Sequence, residues 1–252
     1  MWGVFMEFFA DWHTHSKYSD GRATIEELVQ AARDRGLEQL AITDHGPRNI
    51  GAGVRGPETY LEIDRKVKAL NTEWEGITVK SGAEADIIEP DGTVDIPPAV
   101  ADSLDILVVG LHPYIWPATW QGAWSVVGMN QLAKFSGRIR ETVRVGNTKA
   151  LKEAIHKYHV DFISHPDLGM PVDIAELASA CAARGTALEI NTGHRYDKEE
   201  LVRVAAKAGV NFVVNSDAHF PKTVGDLAQG GLLLEKYRVP PERVLNARRP
   251  HH

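Results

Sequence analysis

The chain has 252 residues, one cysteine and a formal net charge of -6 at pH 7. The length is typical of one α/β barrel, so we expect a single domain over residues 1–252, in which His251 and His252 are either native or a tag remnant. One cysteine excludes an internal disulfide and is typical of a reducing cytoplasm. The acidic balance argues against general attraction to nucleic acid or anionic membrane. No apolar run reaches the roughly 18 residues that span a bilayer.

Short apolar runs alternate with helical patterns along the first half of the chain. Residues 5–12 predict a strand, and residues 24–36 predict a helix that starts at Thr24 and stops at Gly36. Glu27, three residues after Thr24, completes the pattern of a capping box. The same reasoning predicts a strand at 37–43, a helix at 57–73 and strands at 77–87 and 104–112.

The alternation resumes in the second half of the chain. The pattern predicts helices at about 147–159, 171–185, 197–209 and from about 224, and strands at 161–165, 187–192 and 211–217. Seven strands with helical crossovers predict a parallel sheet of the α/β class, and at this length a closed barrel. Residues 113–146 fit the pattern worst and hold three of the six tryptophans. We predict a loop there that covers the site.

Histidines and carboxylates follow the predicted strands at their C-terminal ends. In a barrel these ends point to one face, which hosts the active site, so we expect the side chains to converge. Six of the eleven histidines lie in this set, and so many imidazoles packed together without metal would leave costly buried polar groups. The set comprises His13, His15, His45, Glu84, His112, His165, Asp217 and His219.

Spacing within the set supports a metal site. His13 and His15 are two residues apart on a strand, so their side chains point to the same side. Asp217 and His219 repeat this spacing, and so does Glu84 with the following Asp86, one of which could act from behind a ligand. Imidazole and carboxylate together suit zinc, manganese or iron, and the lack of cysteine ligands argues against a structural zinc site.

Seven motifs of the chain resemble those of the PHP family, named for polymerase and histidinol phosphatase. They run in the family's order from residue 11 to residue 219 and read DWHTHSKYSDG, AITDHG, GAEAD, GLHPY, ISHPD, EINTG and VNSDAH. The pattern resembles most the stand-alone PHP hydrolases and the PHP domain of bacterial family-X DNA polymerases. This resemblance implies a distorted (β/α)7 TIM-like barrel that binds two or three divalent metal ions.

The resemblance also implies how the ligands are shared. The first metal would be held by His13, His15, Glu84 and Asp217. Glu84 would bridge to a second metal, held also by His112 and His165. Asp20, His45 and His219 would hold the third, where the family places either His or Asp at the position of Asp20.

From these residues we predict a metal-dependent hydrolase that cleaves phosphate esters. A water activated by two metals would attack the phosphorus, with Glu84 and Asp217 as the catalytic carboxylates. Arg195, His194 and Arg22 lie in loops of the same face and are the predicted substrate contacts. The expected substrate is a phosphorylated small molecule or a nucleotide; nucleic acid ends are possible partners that the charge does not indicate, and no membrane partner is expected.

Three alternatives stay open. The first is a phosphomonoesterase of the histidinol-phosphatase type. The second is an amidohydrolase-like C–N hydrolase, although such enzymes usually use a carboxylated lysine where this chain has Glu84. The third is a non-catalytic, metal-stabilised module, against which the complete ligand set argues. Asp44, beside His45, either orients a ligand imidazole or is a simple turn residue.

Overall fold

The computed structural model describes residues 6–250. Seven parallel strands form one sheet in which each strand pairs with the next along the chain, which confirms the predicted (β/α)7 TIM-like barrel. These strands are β2 (Ala10–Asp11), β3 (Gln39–Ile42), β4 (Thr78–Asp86), β5 (Ile106–Gly110), β6 (Phe162–Ile163), β7 (Ala187–Asn191) and β8 (Phe212–Asn215). Outside the barrel, β1 (Glu7–Phe8) pairs antiparallel with β9 (Ala247–Arg248).

Helices connect the strands and cover the outside of the barrel. They are α1 (Ile25–Asp34), α2 (Glu58–Glu73), α3 (Pro98–Ala101), α4 (Trp120–Gly122), α5 (Met129–Leu132), α6 (Gly137–Lys157), α7 (Ile174–Arg184), α8 (Lys198–Ala205) and α9 (Ala228–Lys236). A π-helical stretch, Ala123–Gly128, joins α4 to α5, and short 3-10 turns lie at Ala206–Ala208, Pro221–Thr223 and Pro241–Arg243. Among the described residues, no helix combines the length and the apolar character that crossing a membrane requires.

The capping box that opens α1 is confirmed. The Glu27 amide donates to Thr24 Oγ1 at 3.3 Å, and the Thr24 amide donates to Glu27 Oε2 at 2.7 Å. These two bonds satisfy amides that the first helical turn leaves without a partner. The helix then buries one apolar side, formed by Ile25, Leu28, Val29 and Ala32.

Three sequence predictions need correction. The predicted strand 5–12 is two short strands, because β1 pairs antiparallel with β9 whereas β2 pairs parallel with β3; residue 5 lies outside the described residues. The predicted loop 113–146 is helical from Trp120 onward, and α6 begins ten residues before the predicted start, capped by the Ser136 side chain. The last helix starts at Ala228 instead of about 224, after a turn with Gly225 at positive φ.

The inside of the barrel has two layers of different polarity. Its lower layer is apolar and consists of Ala41, Ile106, Val108, Phe162, Ala187 and Val213. Because alternate residues of a strand face the same side, the inward positions of a strand are two residues apart. Above the apolar layer, two of these inward positions are occupied by carboxylates: Glu84 on β4 and Glu189 on β7. Both carboxylates are fully buried. The barrel therefore presents charged groups just above an apolar floor.

Side chains close the seam between β2 and β8, which share no ladder. Asn246 donates to the carbonyls of Ala10 (2.9 Å) and Val214 (2.6 Å) and accepts from the Val214 amide (3.0 Å). Above it, Thr14 and Ala218 form an isolated parallel bridge. The closure brings the segment that carries His13 and His15 against the segment that carries Asp217 and His219.

We predict that Asn246→Ala lowers the free energy of unfolding by at least about 2 kcal/mol, because it leaves buried backbone groups of Ala10 and Val214 unpaired. Chemical denaturation followed by circular dichroism measures this change. Gln229→Ala, at an exposed position of α9, is the control and should stay within about 0.5 kcal/mol of the parent protein. Equal stability of the two variants would contradict the role of Asn246 at the seam.

Candidate metal centre

The nine predicted ligands lie together at the C-terminal ends of the barrel strands. Among the described residues, three groups offer one ligand atom each within 4.8 Å of one another: His15, Asp20, His45 and His219; His13, His15 and Glu84; and His45, Glu84 and His112. His13, His15 and Glu84 are fully buried, whereas Asp20, His112 and His219 are partly exposed. The centre thus has a closed base and a rim open to solvent.

Glu84 occupies the middle of the centre. Its Oε2 lies 3.2 Å from His13 Nε2 and 2.9 Å from His45 Nδ1, while its Oε1 lies 2.8 Å from His165 Nε2 and 3.7 Å from His112 Nε2. Neither oxygen has an aligned hydrogen-bond partner, although both are buried. Orphaned buried oxygens are costly, and their neighbours at these distances are all metal-binding nitrogens. The arrangement therefore fits divalent cations on both sides of the carboxylate.

Four donor atoms surround one point at the base of the centre. His15 Nε2 lies 3.0 Å from Asp217 Oδ1, and His13 Nε2 lies 3.2 Å from Glu84 Oε2. The crossed separations, His13 to Asp217 and His15 to Glu84, are both 3.7 Å. Donors about 2.1 Å from a tetrahedral ion are separated by roughly 3.4 Å, so these four atoms fit one zinc-like site.

The rim group contains Asp20 and two histidines. Asp20 Oδ1 lies 3.2 Å from His219 Nε2 and 3.8 Å from His45 Nε2. His45 is shared between groups, because its Nδ1 faces Glu84 while its Nε2 faces Asp20. An imidazole can bind metal through either nitrogen. The distances fit Asp20, His45 and His219 as the third ligand set. They also allow His45 to bind an ion next to Glu84 through its Nδ1.

Glu189 supports the centre from behind and was missed in the sequence. Its Oε1 lies 2.7 Å from His13 Nδ1, and its Oε2 accepts from the His165 amide at 2.8 Å. A carboxylate on Nδ1 fixes the tautomer and leaves Nε2 for the metal. The available signal was the single charged residue of strand β7, in the middle of a buried run and two residues before Asn191.

Of two aspartates near the ligands, Asp86 acts as the sequence suggested and Asp44 does not. Asp86, two residues after Glu84, makes a short contact with His112 Nδ1 and so acts from behind that ring. The Asp44 carboxylate instead accepts from the amide and hydroxyl of Ser16, at 2.7 and 2.6 Å. It therefore holds the loop that leads to Asp20, and neither of the two roles considered for it describes this contact.

The local electrostatics keep the carboxylate ligands ionised, but they do not keep every imidazole neutral. Burial by itself raises the pKa of Glu84, but the neighbouring His13 and His112 outweigh it and lower this pKa well below its usual range. Burial, together with the charge of His45, lowers the pKa of His15 to about 3. An ionised carboxylate and a neutral imidazole are the forms that coordinate a cation, so Glu84 and His15 already have the required form. Burial lowers the pKa of His112 and of His219, but Asp86 and Asp20 outweigh it and raise these pKa values to about 10 and about 9, so a bound cation would have to displace their protons.

The backbone is strained at two of the strand ends. His165 has φ of 25° and Asp217 has φ of 53°, values that residues with a side chain seldom adopt. Gly110 is required for close approach, because a Cβ there would lie 2.5 Å from Ser164 Oγ and 3.3 Å from Glu84 Oε1. Strain that the surrounding structure maintains is typical of functional sites.

The three predicted substrate contacts differ in how near they lie to the ligands. His194 Nε2 lies 3.1 Å from Asp217 Oδ2, and its side chain is 47% exposed, so it faces both the centre and solvent. The Arg22 amide donates to the His219 carbonyl at 2.8 Å, with an exposed side chain. Arg195 is exposed and contacts none of the ligand candidates within residues 6–250.

Comparison of the sequence with known protein families identifies the family of this chain. Residues 11–216 match the family model of the PHP domain. The chain belongs to the PHP domain family. It is 33% identical over 247 residues to a protein named "Probable phosphatase" from Caldanaerobacter subterraneus subsp. tengcongensis, covering 94% of this chain and 86% of that protein.

Two further proteins define how far this similarity reaches. The chain is 31% identical to the DNA polymerase/3'-5' exonuclease PolX of Bacillus subtilis, over 94% of this chain but only 39% of PolX. A histidinol phosphate phosphatase from Lactococcus lactis subsp. lactis, solved with zinc, L-histidinol and phosphate, superposes with a TM-score of 0.60 at 18% identity. That superposition covers 90% of this chain and 92% of the other, and it shows a shared fold.

We predict that Glu189→Gln lowers metal affinity about 10- to 100-fold without unfolding the protein, because the amide no longer holds the His13 ring as a carboxylate does. Competition with a metal-binding dye measures the affinity, and thermal melting checks the fold. Glu176→Gln, on the surface of α7, provides the control. If both variants bind metal like the parent protein, Glu189 does not support the centre.

Proposed function

We propose that the protein hydrolyses phosphate esters at a centre of two or three divalent metal ions. The observation that carries this proposal is the position of Glu84, whose two oxygens face different sets of histidine nitrogens. A carboxylate in such a position can bridge two ions and fix the distance between them. Pairs of ions a few ångströms apart are typical of enzymes that cleave phosphate esters.

The proposed ligand sets follow the three clusters of donor atoms. His13, His15, Glu84 and Asp217 would hold one ion at the buried base. Glu84, His112 and His165 would hold a second, and Asp20, His45 and His219 a third at the rim. Nitrogen and oxygen donors without sulfur suit zinc, manganese or iron.

The ions would supply Lewis acidity, which neutralises phosphoryl charge and makes a water molecule nucleophilic near neutral pH. The protein's own groups would position the reactants. Glu84 and Asp217 would act as the carboxylates that fix the positions of the ions. His194, whose Nε2 lies 3.1 Å from Asp217 Oδ2 and whose side chain is about half exposed, would donate a hydrogen bond to an incoming phosphate from its other ring nitrogen. Arg22 and Arg195 add positive charge at the open face and draw anionic esters toward it.

The proposed substrate is a phosphorylated small molecule or a nucleotide. The names of the relatives support this choice, since one is called a probable phosphatase and another an exonuclease, both of which cleave phosphate esters. The net charge of -6 gives no support for binding long nucleic acids. We also propose that residues 1–252 form a single domain that works in the cytoplasm, which the lone, buried Cys181 supports.

We predict that Glu84→Gln reduces hydrolysis of p-nitrophenyl phosphate or its bis-ester at least about 100-fold, because changes behind the ligands of metal sites already cost about 10- to 100-fold. Metal content should fall in parallel, while the melting profile stays cooperative. The assay compares zinc, manganese and iron after removal and restoration of metal. A Glu84→Gln protein that turns over at the parent rate would show that Glu84 does not bridge ions.

For Arg195→Ala we expect KM for the phosphate ester to rise about 10- to 150-fold with metal content unchanged, since one charge-assisted hydrogen bond is worth about 1.5–3 kcal/mol. Arg195→Lys should recover only part of the loss, because an ammonium cannot reproduce the guanidinium fork. Arg138→Ala, an exposed arginine on α6, is the matched control. Parent-like kinetics for both Arg195 variants would remove this residue from the substrate site.

A further inference from the structure

An exposed tryptophan, Trp116, lies four residues after the ligand candidate His112 in the chain. Trp116 is 69% exposed, yet its amide donates to the Arg48 carbonyl at 2.8 Å. The Arg48 guanidinium returns to the same segment and donates to the carbonyls of Trp116 at 3.1 Å and Pro117 at 3.2 Å. These bonds order the backbone beneath the indole. An ordered and exposed aromatic side chain can bind a ligand at low entropic cost.

Trp116 lines a groove of about 630 Å³ between the loop after β3 and the loop after β5. Here it is called the side groove, and its wall includes Arg48, Ile50, Arg55 and Asp95. Its volume lies in the range of pockets that bind small molecules, about 300–1,000 Å³. The side groove therefore has room for a substrate part larger than a phosphate group.

The side groove and the metal centre share a wall. Asp95 accepts from the Arg48 amide at 3.0 Å and from the Asp86 amide at 2.9 Å, and Asp86 is the carboxylate that contacts His112. Along the chain, the groove residues begin at Pro47, two positions after His45. A substrate whose phosphate lies at the metals can thus extend its other end into the groove.

The chemistry of the groove selects a flat group with polar edges. Trp116 offers an indole face, and Ile50 adds apolar surface beside it. Arg55 is exposed and makes no contact with another side chain in the described part of the protein, so its guanidinium is available to a ligand. Base rings stack on aromatic side chains and accept hydrogen bonds from arginine, whereas an alkyl chain uses neither property.

We propose that the side groove binds the leaving group of the substrate, and that this leaving group is a nucleoside whose base stacks on Trp116. This assignment rests on the proposed phosphoesterase function and narrows it to nucleoside phosphates. Two neighbouring tryptophans, Trp120 and Trp124, are also exposed but do not line the groove. They provide controls for the general effect of removing a surface indole.

The test compares adenosine 5'- and 3'-monophosphates with ribose 5-phosphate, which lacks the base. In the metal-loaded protein, Trp116→Ala should raise KM for the adenosine phosphates about 5- to 150-fold, the effect of losing one stacked base. KM for ribose 5-phosphate should stay unchanged. Trp116→Phe should recover most of the loss, and Trp120→Ala should behave like the parent protein.

A binding measurement separates failure of this inference from failure of the proposed function. Quenching of tryptophan fluorescence by adenosine monophosphate should occur in the parent protein and disappear in Trp116→Phe. If the phosphates bind in this way but no ester is cleaved, the phosphoesterase proposal fails and the base site stands. If Trp116→Ala leaves KM unchanged or shifts it equally for both kinds of substrate, and Trp116→Phe quenches like the parent, the nucleoside assignment is overturned.

Discussion

The buried carboxylate of Glu84 is the constraint on which the rest of this structure depends. A carboxylate removed from water costs several kcal/mol unless positive charge compensates it. The ring nitrogens around its oxygens approach to 2.8–3.7 Å without forming aligned hydrogen bonds. Cations between the carboxylate and these rings would resolve both problems at once. Much of the upper half of the barrel can be understood as the scaffold for that arrangement.

Two features hold Glu84 and the histidines in place: the apolar layer below them and the carboxylates that contact the histidines from behind. Apolar residues such as Phe162 fill the lower part of the barrel, so Glu84 and Glu189 rest on a dry floor. Glu189 and Asp86 act on the outer nitrogens of His13 and His112, which turns the inner nitrogens toward Glu84. The open rim carries fewer constraints, and it is there that His194 and Trp116 face solvent. Under the proposed function, this division would keep the candidate ligands fixed while the rim selects the substrate.

The sequence by itself determined the strand order and which side chains are candidate metal ligands. His13 and His15 are two residues apart at the end of a strand. Because side chains alternate along a strand, this spacing puts both on the same side of it. Thr24 and Glu27 likewise determined the start of α1, because a capping box is a local interaction. The motifs then predicted the family, which the match over residues 11–216 confirms. Arg195 and the assignment of ligands to individual ions remain predictions.

Only the tertiary structure decided the contacts between residues far apart in the chain. Glu189 supports His13 across 176 positions, and Asn246 reaches Ala10 across 236, so no local pattern indicates either role. The early start of α6 and the helices after Trp120 were also missed, because their weak periodicity is overridden by packing against the barrel. The fold also puts the loop after β3 next to Trp116, and the two together line the side groove. Local spacing in the sequence determined which element carries each side chain and on which side. Long-range packing decided which of these side chains contact one another.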